Sequence, residues 1–239
     1  MTKRGVSALQ PKRKRADKHN VARYTPNVNL STLRGDLGGV VFRRDGVALT
    51  YTKPYDPKTP LQMSSRERMR IVADAWDLVT PLQAEGWRTY AKAIEASGMR
   101  SESGRPLRGY DLFCGLGCKY LQVHGGTSFP TTAPERPFFG DAVVVSVETV
   151  PGAVRFEANG PNGPFALTEL LLQPLRRAAN LPQVERYRTE AFVTFEADAL
   201  SFEIDVKPGA YAAAIRYVLG STGQATALIP LGVVLVSAA

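Results

Sequence analysis

From residue 59 onward the apolar pattern of this 239-residue chain changes period once, and that change limits what it can build. Between residues 59 and 124, apolar side chains recur at intervals of three and four, the helical period. Beyond Gly125-Gly126 they come in short runs separated by Pro-Gly, Asn-Gly and Ala-Asp pairs, the pattern of strands and tight turns. A chain that segregates the two periods is α+β, with a small helical unit followed by an antiparallel β-sandwich.

The helical part carries an internal repeat. Thr59-Pro60-Leu61-Gln62 recurs as Thr80-Pro81-Leu82-Gln83. Each reads as a helix start: Thr as N-cap, Pro at the first helical position, where its missing N–H costs nothing, and Gln placed to complete a capping box. The spacing predicts a first helix over 60–79, with Met69, Val72, Trp76 and Val79 on one stripe. A second is expected over 81–97, with Trp87, Tyr90, Ala91 and Ile94 inward and Gly98 just past its end. Pro106 opens a third, whose Leu107, Tyr110, Phe113 or Cys114, Gly117 and Leu121 recur at helical spacing.

Upstream, the β-rich runs 39–44 and 47–52 flank Asp45-Gly46, a strong signal for a two-residue type I′ hairpin. That turn pairs Phe42 with Leu49 and Val40 with Tyr51. Downstream, seven strands are expected over 143–150, 154–158, 165–172, 191–196, 200–206, 211–219 and 226–236. Four regions follow: a basic extended arm and linker (1–34), a hairpin plus three-helix domain (35–126), a Pro/Thr/Ser-rich linker (127–138) and a β-sandwich domain (139–239).

Charge is concentrated at one end. Residues 1–24 hold Lys3, Arg4, Lys12, Arg13, Lys14, Arg15, Lys18 and Arg23 against the single acid Asp17, so seven of the chain's eight net positive charges sit there. With few residues able to form a core, such an arm is expected to be disordered alone. It should favour an anionic partner: nucleic acid, an acidic protein surface or, less well, a membrane. The first residues contain no apolar stretch of the secretory kind, and no run approaches a membrane span. Cys114 and Cys118, four residues apart, read as reduced core thiols, which suits a cytoplasmic origin.

Catalytic chemistry is poorly supplied. His19 and His124 are the only histidines, and neither has metal-ligand spacing to Cys, Asp or Glu. There is no Gly-x-Ser-x-Gly and no P-loop, and the carboxylates Glu196, Asp198, Glu203 and Asp205 alternate with apolar residues as on a solvated strand face. The expectation is no enzyme, no cofactor, no metal and no small-molecule substrate.

Three segments resemble known groups. Trp76-Asp77-Leu78-Val79-Thr80-Pro81, followed by Trp87, Tyr90 and Ala91, resembles the second and third helices of a high-mobility-group box. Arg105-Pro106-Leu107-Arg108-Gly109-Tyr110-Asp111-Leu112-Phe113 resembles that box's first helix, here placed last, so the likeness is to a circular permutant. It implies DNA contacts through Arg88, Lys92, Arg105 and Arg108, with acids Asp74, Asp77, Glu85 and Glu95 interleaved. Residues 35–115 resemble a group of uncharacterised bacterial and phage proteins, through the Gly-rich hairpin, Lys53-Pro54 to Gln62, and the Trp-x-x-Tyr-Ala and Gly-Tyr-x-Leu-Phe motifs. Pro208-Gly209-Ala210-Tyr211 and the strand after it resemble the end of a fibronectin type III domain.

Two functional expectations emerge. The first is a structural component of a phage-type virion, capsid- or tail-associated and assembled in the bacterial cytoplasm, with the arm contacting neighbouring subunits or DNA. The alternative is an architectural DNA-binding protein that grips DNA with the box-like helices.

Overall fold

The computed structural model describes residues 56–98 and 106–238 in full, and the backbone of four short strands between residues 21 and 50. The chain forms two compact units, 1–58 and 59–239.

The first unit contains β1 (Val21–Arg23), β2 (Gly35–Leu37), β3 (Val40–Phe42) and β4 (Val47–Thr50), in the antiparallel order β1-β4-β3-β2. The end of the basic arm is thus a strand, Val21 facing Leu49 and Arg23 facing Val47, with ladder hydrogen bonds supplying the order that composition does not. The β3–β4 register differs from expectation by one residue: Val40 faces Thr50, Val41 faces Leu49 and Phe42 faces Ala48. An odd number of residues then separates opposed positions, which a two-residue turn cannot provide. Asp45-Gly46 itself lies outside the described residues, as do Lys3, Arg4, Lys12, Arg13, Lys14, Arg15, Lys18 and Arg105.

The second unit opens with α1 (Pro60–Trp76), α2 (Pro81–Ala96) and α3 (Gly109–His124). Both repeats form complete capping boxes. Gln62 N–H donates to Thr59 Oγ1 and Thr59 N–H to Gln62 Oε1, and Gln83 and Thr80 repeat the pair. Because the second box starts at Thr80, α1 stops at Trp76, three residues short of the expected end. The third helix begins at Gly109, with Pro106–Arg108 as its extended lead-in.

An aromatic cluster joins the helices. Phe113 lies edge-on to Trp76, Trp87 and Phe129 at ring-centroid distances of 5.0, 5.3 and 5.5 Å. Val72, Trp87 and Phe113 are fully buried, each such side chain worth roughly 1.5–3 kcal/mol. Tyr110 stays on the rim, edge-on to Trp76. Met69, expected inward, is 42% exposed, although its Sδ lies 3.9 Å from Cys118 Sγ of α3.

Eight strands complete the unit: β5 (Val145–Val150), β6 (Ala153–Ala158), β7 (Ala166–Leu175), β8 (Arg188–Val193), β9 (Ser201–Asp205), β10 (Gly209–Leu219), β11 (Gln224–Ala225) and β12 (Ile229–Val236). One antiparallel sheet runs β5-β6-β9; the other runs β10-β7-β8, with β11 and β12 both on the free edge of β10. Val145, Val154 and Phe156 of the first sheet meet Leu170, Leu172, Ala213 and Ile215 of the second, forming the sandwich core. The fold is therefore α+β, three helices plus antiparallel sheets. Residues 127–138, expected as a linker, run against the helices: Phe129 joins the aromatic cluster and Trp87 Nε1 donates to the Thr131 carbonyl at 2.8 Å.

Candidate interaction surfaces

Strand parity sends Glu169, Leu171 and Gln173 of β7, with Ala212, Ala214 and Arg216 of β10, to the face opposite the sandwich core. The helix α3 lies against the upper part of this face. There Lys119 Nζ sits 3.0 Å from each oxygen of Glu169, Gln122 Nε2 donates to Thr189 Oγ1, and Thr189 Oγ1 donates to Glu169. Lys119 also stands 5.5 Å over the Phe192 ring. Burial pulls the Lys119 ammonium below its ordinary pKa, and the Glu169 carboxylate pushes back. Arg216 is the second cation here, its Nε 3.9 Å from Glu169 Oε2.

A second set of contacts holds helices and sandwich together. Gln224 Nε2 donates to Tyr90 Oη and to the Arg136 carbonyl, both at 2.7 Å, and His124 Nε2 lies 2.8 Å from the Gly220 carbonyl. Gly223, at φ +77°, fits against α3 so closely that a Cβ there would stand 2.3 Å from the Leu116 carbonyl oxygen.

Of the residues that the box-like resemblance singles out, Arg88, Lys92 and Arg108 are described. Arg88 and Lys92 lie one turn apart on the exposed face of α2, and Arg108 is the N-cap residue of α3. Gly109 packs against the backbone of Trp87 and Arg88, bringing the start of α3 beside the middle of α2. Acids share the surface. Arg88 pairs with Glu85 at 2.8 Å, and Glu95 Oε1 accepts the Leu107 N–H at 2.6 Å. On α1, Arg70 is likewise flanked by Glu67 and Asp74. These exposed pairs are worth little individually, but they offset positive potential locally.

Burial pushes both the Cys114 and Cys118 thiols above their ordinary pKa, and Cys118 Sγ lies 3.9 Å from Met69 Sδ. Among the described residues, no group of three or more His, Cys, Asp or Glu is placed to hold a metal ion, and no helix is long and apolar enough to cross a membrane. Glu203 of β9 pairs with Arg155 of β6 through partly exposed side chains. The buried Lys119–Glu169–Arg216 group was not anticipated from the sequence. Its one signal was an acid, Glu169, set within the apolar run of β7.

At the corner that leads into β10, Tyr211 Oη donates to the Lys207 carbonyl at 2.8 Å. No family model matches the chain, and no curated protein matches it. Among solved structures, the fn3 domain of human contactin 1 is similar over 48% of this chain and 91% of that domain. Its 10% identity and TM-score of 0.31 are too low to carry any argument about this chain.

Proposed function

We propose that this protein is a non-enzymatic structural component of a phage-type particle, capsid- or tail-associated, whose basic arm binds an anionic partner. The observation that carries the reading is the confinement of charge. Residues 1–24 hold eight Lys and Arg against Asp17, while folded-surface arginines such as Arg70, Arg88 and Arg155 stand beside acids. A chain arranged this way binds anions with an appendage and leaves its folded surfaces for protein contacts. The partner is a neighbouring subunit or DNA, and the setting is the virion, assembled in the bacterial cytoplasm.

The sandwich is, in this reading, of the immunoglobulin or fibronectin kind. The Tyr211–Lys207 bond at the start of β10 supports this, since such sandwiches carry a tyrosine corner at that place. The fold hosts many functions, so it supports a scaffold role without specifying a partner.

The test is DNA-binding anisotropy across a salt series, comparing the full chain with one lacking residues 1–24. Log K falls with log salt at a slope of about −0.9 per neutralised phosphate, so the slope reports the contacts. The proposal expects binding to vanish with the arm, or DNA not to bind at all. Binding that survives truncation with its slope intact would overturn it and favour DNA contacts by Arg88, Lys92, Arg105 and Arg108.

A further inference from the structure

We propose that a groove on the outward face of β10 docks an acidic peptide, with Arg216 receiving the peptide's carboxylate. The groove has a volume of about 710 Å³, within the usual range of roughly 300–1,000 Å³ for binding pockets. Pro182, Val184 and Tyr187 of the β7–β8 connection line one side, Leu228 and Pro230 the other, and Arg216 the floor. No acid lines it.

Charge accounting supplies the occupant. Glu169 is 1% exposed and already takes Lys119 on both oxygens and Thr189 on one. Arg216 is left with an ion-pair distance of 3.9 Å and no hydrogen bond to this carboxylate, and its Nε is buried without a hydrogen-bond partner. Two cations against one carboxylate leave one positive charge at the base of an apolar groove. The Nε itself is out of a ligand's reach, but the Arg216 side chain is 28% exposed, and an incoming carboxylate would offset its charge from the groove side. The planar guanidinium also matches a carboxylate through two parallel bonds.

The walls argue for a peptide over a small free acid. They are apolar and open to solvent, and exposed Leu181 and Ile229 extend them beyond Pro182 and Leu228. An extended segment with one acidic side chain between apolar neighbours satisfies both the floor and the walls. This site is separate from the basic arm and independent of what the arm binds.

The experiment titrates the full chain with a fluorescent, end-capped short peptide carrying one Glu among Val and Pro residues, and with its Gln counterpart. It is run at about 0.3 M salt, where exposed charges of the arm are largely screened. The Glu peptide should bind at least about fivefold more tightly than the Gln peptide, a difference of about 1 kcal/mol. Arg216→Met should abolish the preference while leaving the arm intact. Leu228→Asp, which adds an acid to the wall but leaves Arg216, Lys119 and Glu169 in place, should weaken the Glu peptide by a similar factor. A Glu preference that persists in Arg216→Met would overturn the proposal, as would no binding to the unaltered chain at about 1 mM peptide. Arg216-dependent binding of 4-phenylbutyrate with neither peptide bound would overturn the peptide as occupant.

Discussion

Lys119 Nζ stands 3.0 Å from both carboxylate oxygens of Glu169, so a buried ion pair joins α3 to the outer face of the sandwich. The side chains are 15% and 1% exposed, which makes each dependent on the other. Removing Glu169 leaves Lys119 and Arg216 without a counter-charge, typically at a cost of about 3–5 kcal/mol, whereas removing Lys119 leaves Glu169 with Arg216 beside it. Glu169→Gln is expected to lower stability by an amount of this order in urea unfolding, and Lys119→Met by less. The double variant Lys119→Met/Glu169→Leu should cost markedly less than the sum, because apolar replacement of a buried pair is often near neutral. Additive costs would show that the pair is not coupled.

The turn before β11 is expected to tolerate no side chain. Gly223 has φ +77°, and a Cβ there would stand 2.3 Å from the Leu116 carbonyl oxygen and 2.8 Å from the Tyr120 nitrogen. Both neighbours are backbone of α3, so neither can swing aside. Gly223→Ala should destabilise by more than about 2 kcal/mol, combining backbone strain with a displaced helix. The next residue, Gln224, holds Tyr90, so the same substitution should raise amide exchange in α2 and α3 before it affects β5 and β6. Uniform loss of protection across the chain would contradict this placement.

Asp141 gives stability a specific pH dependence. Burial disfavours its charge, but hydrogen bonds from Asn162 Nδ2 and from the N–H groups of Gly163 and Ala142 outweigh that and hold its carboxyl below the ordinary value. Asn162 in turn accepts the Phe195 N–H, so the carboxylate organises a corner of the sandwich. A depressed folded-state pKa contributes stability above the unfolded value of about 3.9, lost as pH falls through the lower folded value. Asp141→Asn is expected to cost about 1–3 kcal/mol at pH 6 and progressively less below about pH 4. Equal costs in urea unfolding at pH 6 and pH 3 would rule out the charged form as the source.

What the sequence disclosed was local. Thr59 and Thr80 cap as their spacing required, because a capping box involves only residues three apart. Most strand segments were legible for the same reason, with the turn at Pro151-Gly152 marking one break, while the strand expected over 191–196 lies at Arg188–Val193 and β11 was not anticipated. Long-range relations were not legible. Met69 belongs to an inward stripe by period, yet only the position where α3 crosses α1 decides which turn of the stripe is covered. Residues 127–138 have a linker's composition, but Phe129 and Thr131 are fixed by Phe113 and Trp87. Glu169 is buried only because Lys119 approaches from a helix fifty residues earlier, which no window of the sequence contains.

Tyr211 and Lys207 offer the simplest check on the sandwich itself. The Tyr211 hydroxyl closes the corner between β9 and β10 by donating to the Lys207 carbonyl at 2.8 Å, while its ring packs beside the sandwich core. Phenylalanine keeps the ring and removes the donor, so Tyr211→Phe isolates one hydrogen bond. The bond lies in a partly exposed place, where water can replace the lost partner, so the expected cost is about 0.5–1.5 kcal/mol. Tyr211→Ala also removes the half-buried ring and should cost about 2–3 kcal/mol, less than deleting an aromatic from the full core. Urea midpoints for the two variants separate hydrogen bond from packing. A Phe variant as unstable as the Ala variant would mean that the corner, not the ring, holds β10 in register with β7.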